Sequence, residues 1–110
     1  MAVISARERV NQAVMKWPGI SAQPHRFGGT EYLLGKREIG HMHGDSLIDI
    51  PFPTGVAREI VAAGRADPHH ILPDSGWVSI YLHDEADVQR GIDLLRMSYD
   101  IAVKQKAPSA

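Results

Sequence analysis

Val10, Val14 and Trp17 recur at spacings of four and three behind the segment Ser5-Ala6-Arg7-Glu8, and Pro18-Gly19 then ends the run. That spacing sets three apolar side chains on one helical face. Serine followed three places later by glutamate is a capping box, so the pattern predicts a first helix over residues 5–17. From Ile20 to Ile50 the texture changes to extended runs, "ISAQPHRF", "TEYLLGKREIGHMH" and "SLIDI", broken by Gly28-Gly29 and Gly44-Asp45. These read as an antiparallel meander, with Pro24 consigning the first strand to an edge because proline cannot donate to a ladder. Thr54 is placed to cap a second helix carrying Val56, Ile60 and Ala63 and ending at Gly64.

In "WVSIYL" the side chains of Val78, Ile80 and Leu82 alternate with those of Trp77, Ser79 and Tyr81, the mark of a strand with two different faces. Asp84 can cap a final helix, on which Val88, Ile92, Leu95, Tyr99 and Ala102 form one continuous apolar stripe. The predicted order is α-β-β-β-α-β-α. It implies an α+β fold with an antiparallel sheet of three to four strands and a long C-terminal helix over it. Residues 1–104 are expected to form a single domain, and the polar tail 105–110 to fray.

Composition narrows the chemistry. The 110 residues suffice for one core without staples. Lysine and arginine number 12 against 13 acidic residues, so no strong field draws the chain to nucleic acid or to an anionic membrane. Cysteine is absent, which removes disulfides, thiolate nucleophiles and sulfur-ligated zinc. The apolar run at the start is too short for a signal peptide and no later run approaches a membrane span, so a soluble, cytoplasmic protein is expected.

Chemistry concentrates in "GHMHGDSLIDIPFP", residues 40–53. Gly44-Asp45-Ser46-Leu47, with Asp67-Pro68-His69-His70 downstream, imitates an esterase pair. A serine nucleophile also needs an oxyanion hole, and the glycine and asparagine blocks that supply one are missing, so a Gly-Asp turn is the better reading. A cupin is excluded by the spacing of the carboxylate and by the long C-terminal helix. If residues 41–45 stay extended, His41, His43 and Asp45 emerge on one face and can form a facial set for a divalent metal. If Gly44-Asp45 is itself the turn, Asp49 is the alternative carboxylate. The bland alternative is that the histidines hydrogen-bond the aspartates and hold a bend. Trp77 and Tyr81 either pack or floor a ligand cleft, and Arg26, Lys36 and Arg37 read as a solvated face, with His25 an ordinary surface histidine.

Together with "GRADPHHILPDSGWVSIYLHDEADVQRGIDLLRMSYDIA", the block above resembles the bacterial and fungal family called the luciferase domain, over roughly Glu38 to Ala102. That resemblance implies the fold, and its label does not by itself imply light emission. A weaker likeness, from Pro68 through His70 and Trp77 to Ser98-Tyr99, is to the MmcQ/YjbR family of double-wing, frataxin-like fold, some of which have been proposed to bind DNA. Three functions stay open. One is a binding module that receives a small polar or anionic molecule among His41, His43, Asp45, Asp49, His69, His70 and Trp77. Another is a metal-dependent enzyme in which His41, His43 and an aspartate hold the ion and His70 is the acid or base. The third is DNA binding on the double-wing likeness alone.

Overall fold

The computed structural model describes residues 5–24, 28–69 and 75–106; His25, Arg26, His70 and the four C-terminal residues lie outside the described residues. The elements are α1 (Ala6–Val14), β1 (Ile20–Pro24), β2 (Thr30–Leu34), β3 (Arg37–His43), β4 (Leu47–Pro51), α2 (Thr54–Ala62), β5 (Asp67–Pro68), β6 (Trp77–Tyr81) and α3 (Glu85–Lys106). The strands make one sheet in the order β1-β2-β3-β4-β6-β5, antiparallel throughout. Six strands replace the three to four predicted. Gly35, at φ 64°, opens a turn that splits one long run into β2 and β3, and Asp67–Pro68 adds a two-residue edge. Among the described residues no helix is long and apolar enough to cross a membrane.

Both outer helices start as the sequence implies. Ser5 Oγ accepts from the Glu8 amide at 3.1 Å, and Asp84 Oδ1 accepts from the Asp87 amide at 2.9 Å. The first helix stops at Val14, three residues before Trp17. Thr54 is not the cap of α2 but its first residue; Pro53 precedes it and makes no side-chain cap.

Helix α3 lies across the sheet, and the alternation of each strand follows from that. Tyr32, Met42, Ile48, Ile50, Val78 and Ile80 form the buried layer with Leu94, Leu95 and Ala102. Two glycines set how close the layers come. A Cβ on Gly40 of β3 would stand 2.6 Å from Leu95 Cδ2, and one on Gly91 of α3 would stand 2.5 Å from Ile48 Cδ1. Helix α1 closes the end of this layer. Trp17 stacks obliquely on Tyr99 at 5.4 Å, and the Tyr99 hydroxyl donates to the Pro18 carbonyl at 2.6 Å.

One irregularity matters for everything on the opposite face. Tyr32 pairs with Gly40 but Leu33 pairs with Glu38, so Ile39 is an extra residue in β3, a β-bulge. The bulge reverses the parity of β3, and Glu38 therefore shares a face with His41 although the two are three positions apart. Its Ile39 carbonyl is satisfied from the helix layer: buried Ser98 donates to it at 2.8 Å. Ser98→Ala strands that carbonyl. The variant is expected to unfold about 1–3 kcal/mol more easily, read as a lowered urea midpoint at unchanged slope.

Candidate metal centre

The register of four strands brings the site together. His41 faces Asp49 across β3 and β4, and Asp49 faces Ser79 across β4 and β6. Ser79 in turn faces Asp67 of β5. His43 is two residues beyond His41 and so on the same face. Pro68 pairs with Val78, so the next residue, His69, comes level with Trp77.

At the centre is the Asp49 carboxylate, 1% exposed. Its Oδ1 accepts from the Ser79 hydroxyl at 2.6 Å. Three imidazole nitrogens surround Oδ2: His43 Nε2 at 2.9 Å, His41 Nε2 at 3.4 Å and His69 Nε2 at 3.4 Å. His41 and His43 also meet each other, Nε2 to Nε2, at 3.1 Å. Behind them Glu38 Oε2 lies 2.5 Å from His41 Nδ1, and the Trp77 ring lies 5.3 Å from the His41 ring and 6.2 Å from that of His69.

The charges follow from this packing. Burial would lower the His41 pKa, but hydrogen bonds to Asp49 and Glu38, with their charges, outweigh it and raise it to about 9. Burial would likewise raise that of Asp49, yet the bonds from His41, Ser79 and His43 and the nearby His69 hold it well below the usual carboxylate range. In the metal-free protein Asp49 is thus an anion and an acceptor only.

That fact produces a conflict. Asp49 Oδ2, His41 Nε2 and His43 Nε2 are mutually close, and a hydrogen bond needs one donor and one acceptor. If both nitrogens donate to the carboxylate, two N–H groups face each other. If either does not, two acceptors do. No assignment of protons satisfies all three sides of the triangle. A cation at its centre does, because each atom then presents a lone pair. The edges, 2.9–3.4 Å, agree with ligand atoms 2.0–2.2 Å from one ion, which stand roughly 2.8–3.1 Å apart in an octahedral set and roughly 3.3–3.6 Å apart in a tetrahedral one. His41, His43 and Asp49 are accordingly a group able to hold a metal ion.

The structure thus brings His41, His43, Asp49, His69 and Trp77 to one place. Asp45 is elsewhere, in the exposed turn between β3 and β4, where its Oδ1 accepts from the Arg7 amide at 2.9 Å and ties that turn to α1. Ser46 spends its hydroxyl on the His43 carbonyl of the same turn, at 3.3 Å, as a turn residue does. Two contributors escaped sequence reasoning. Ser79 carried a signal, since it alternates onto the face of Trp77; Glu38 carried none, because only the bulge brings it to His41.

A six-stranded antiparallel sheet, covered by a long helix and bearing a buried histidine and carboxylate cluster, defines a compact α+β domain with a potential metal centre. The model of one protein family, the Luciferase domain, matches residues 36–98, and the protein belongs to that family. That span contains Glu38, His41, His43, Asp49, His69, Trp77, Ser79 and Ser98. No curated protein and no solved structure matches the chain.

A group whose pKa rises on folding, as that of His41 does from 6.5 to about 9, stabilises the fold through its charged form. The contribution is whole below the unfolded value and is lost as pH climbs through the folded one. Metal-free protein held in chelator is therefore expected to lose on the order of 3 kcal/mol between about pH 6 and about pH 10. The comparison is with His41→Gln, whose urea midpoint should fall less over the same interval.

Proposed function

We propose that the protein is a metal-binding domain whose centre holds a divalent first-row transition ion through His41 Nε2, His43 Nε2 and Asp49 Oδ2, with His69 Nε2 beside Asp49. The observation that carries this reading is the triangle that protons cannot satisfy and a cation can. The donor set suits zinc, iron or manganese: imidazole nitrogen and carboxylate oxygen, without thiolate. When bound, the ion would supply Lewis-acid chemistry to a ligand at its remaining positions.

The surrounding residues would hold those donors in place. Glu38, accepting at His41 Nδ1, selects the tautomer whose lone pair is on Nε2, the carboxylate–histidine arrangement common behind metal ligands. Ser79 fixes Asp49 by its other oxygen and leaves Oδ2 toward the histidines. Trp77 excludes water from one side of the His41 and His69 rings. A metal is favoured over a small anion seated among the histidines, because the position that would receive the anion is already next to a charged carboxylate.

Untagged protein stripped by chelator and resupplied with zinc, manganese or iron(II) should take up one ion per chain. Its melting temperature should then rise with free metal, by the equivalent of about 2.7 kcal/mol at a hundred times Kd. His43→Ala, the variant at the most exposed of the ligands, should abolish that shift. Glu38→Gln should weaken binding by about 10–100-fold while leaving the stoichiometry at one. Failure of every ion to bind or to raise the melting temperature rejects the reading.

A further inference from the structure

Trp77 has a second neighbourhood. On the side toward α2 it lines a cleft of about 280 Å³, close to the lower end of the ~300–1,000 Å³ typical of small-molecule sites. Ala57, Val61 and Ala62 of α2 form one wall, and Pro68 and Trp77 of the strands form the other. Pro68 is joined directly to His69, so two consecutive residues divide between cleft and centre.

The sequence of α2 shows that this wall is more than the back of a core helix. Ile60 is buried in the core. Thr54, Arg58, Val61 and Ala62 follow one another at i, i+4, i+7 and i+8, a stripe along one helical face, and all four line the cleft. Arg58 is the only charged residue in this stripe and in the cleft lining as a whole, where a solvated face mixes several charges of both signs. Among the described residues Arg58 makes no ion pair and no side-chain hydrogen bond, and it is not among those with further partners. By contrast Arg90 pairs with Asp87, and Arg96 with Asp100. An unpaired guanidinium at an apolar wall matches a ligand with an apolar body and one anionic oxygen group, because guanidinium and carboxylate pair through two parallel hydrogen bonds.

We infer that the cleft between α2 and the β5–β6 edge, whose lining includes none of His41, His43, Asp49 and His69, is a binding site of its own, and that it takes a small apolar monocarboxylate: Arg58 holds the carboxylate, the α2 wall and Trp77 cover the body. The inference goes beyond the metal reading and rests on the cleft alone. It assigns the anion to Arg58 rather than to the histidines, which already surround a carboxylate. Trp77, touching both places, is the wall through which an occupant of one is felt at the other.

The test uses the full chain with Trp17→Phe, so that Trp77 is the sole tryptophan and its emission reports on the shared wall. The probes are octanoate and, as an uncharged match, 1-octanol, each titrated with and without zinc; zinc affinity is measured separately by chelator competition. Octanoate should shift Trp77 emission saturably. Arg58→Glu should weaken octanoate at least tenfold and leave octanol unchanged. Ala62→Phe, at an exposed position where the ring can fold over the cleft, should abolish both. Neither variant should move zinc affinity more than twofold. Octanoate binding that is indifferent to Arg58→Glu and Ala62→Phe overturns the inference, as does its absence from protein that still binds zinc, an outcome that leaves the metal reading intact. Octanoate bound as expected by protein that takes up no metal supports the cleft as a site and rejects the metal reading alone.

Discussion

A carboxylate buried to the degree of Asp49 is costly unless its charge is met, and the penalty for an isolated buried ion amounts to several kcal/mol. The fold meets that charge from three strands at once. His41 and His43 reach it from β3, Ser79 from β6 and His69 from the end of β5. Because the sheet is antiparallel, with register fixed on both sides of β4, these groups cannot drift apart without the sheet slipping, and a one-residue slip would turn every side chain over. The cluster is therefore as rigid as the sheet, which is the condition a metal centre needs.

What holds the register is the other face. Gly40 and Gly91 let α3 approach β3 and β4 closely, and the layer of Met42, Ile48, Ile50, Val78 and Ile80 beneath it fixes which residues point away. The Ile39 bulge is the only irregularity in the strand pairing of the described residues. It would be expensive with its carbonyl unmet, and Ser98 meets it. In return it carries Glu38 round to His41 Nδ1. A serine on the helix side thus supports a carboxylate on the histidine side, through one extra backbone residue.

Much of the fold was legible because it rests on local rules. Ser5 and Asp84 act as caps, Pro24 lies on an edge strand, and the Val88 to Ala102 stripe faces the sheet, as helix and strand periodicity imply. The strand count was not, because Gly35-Lys36 is an ordinary-looking pair inside a run of apolar residues, and Asp67–Pro68 pairs only through tertiary context. At the site, period two sufficed to place His41 with His43 and Ser79 with Trp77. Choosing between Asp45 and Asp49 required knowing where β3 turns. The turn takes Asp45 to the amide of Arg7, a contact 38 residues distant along the chain that no local pattern encodes. Glu38 was invisible for the same kind of reason: parity along a strand fails wherever an extra residue is inserted.

If the histidine nitrogens around Asp49 are arranged for a cation rather than for one another, their protons must move when an ion binds. Nitrogen-15 NMR of the imidazole rings reads those protons directly, in metal-free protein at neutral pH and after one equivalent of zinc. Metal-free His41 should be protonated on both nitrogens. Zinc should strip the proton from Nε2, leave Nδ1 protonated toward Glu38, and move the Nε2 resonances of His41 and His43 together to metal-bound positions. Ring resonances that zinc leaves unchanged, with His41 still doubly protonated, would contradict an arrangement for a cation.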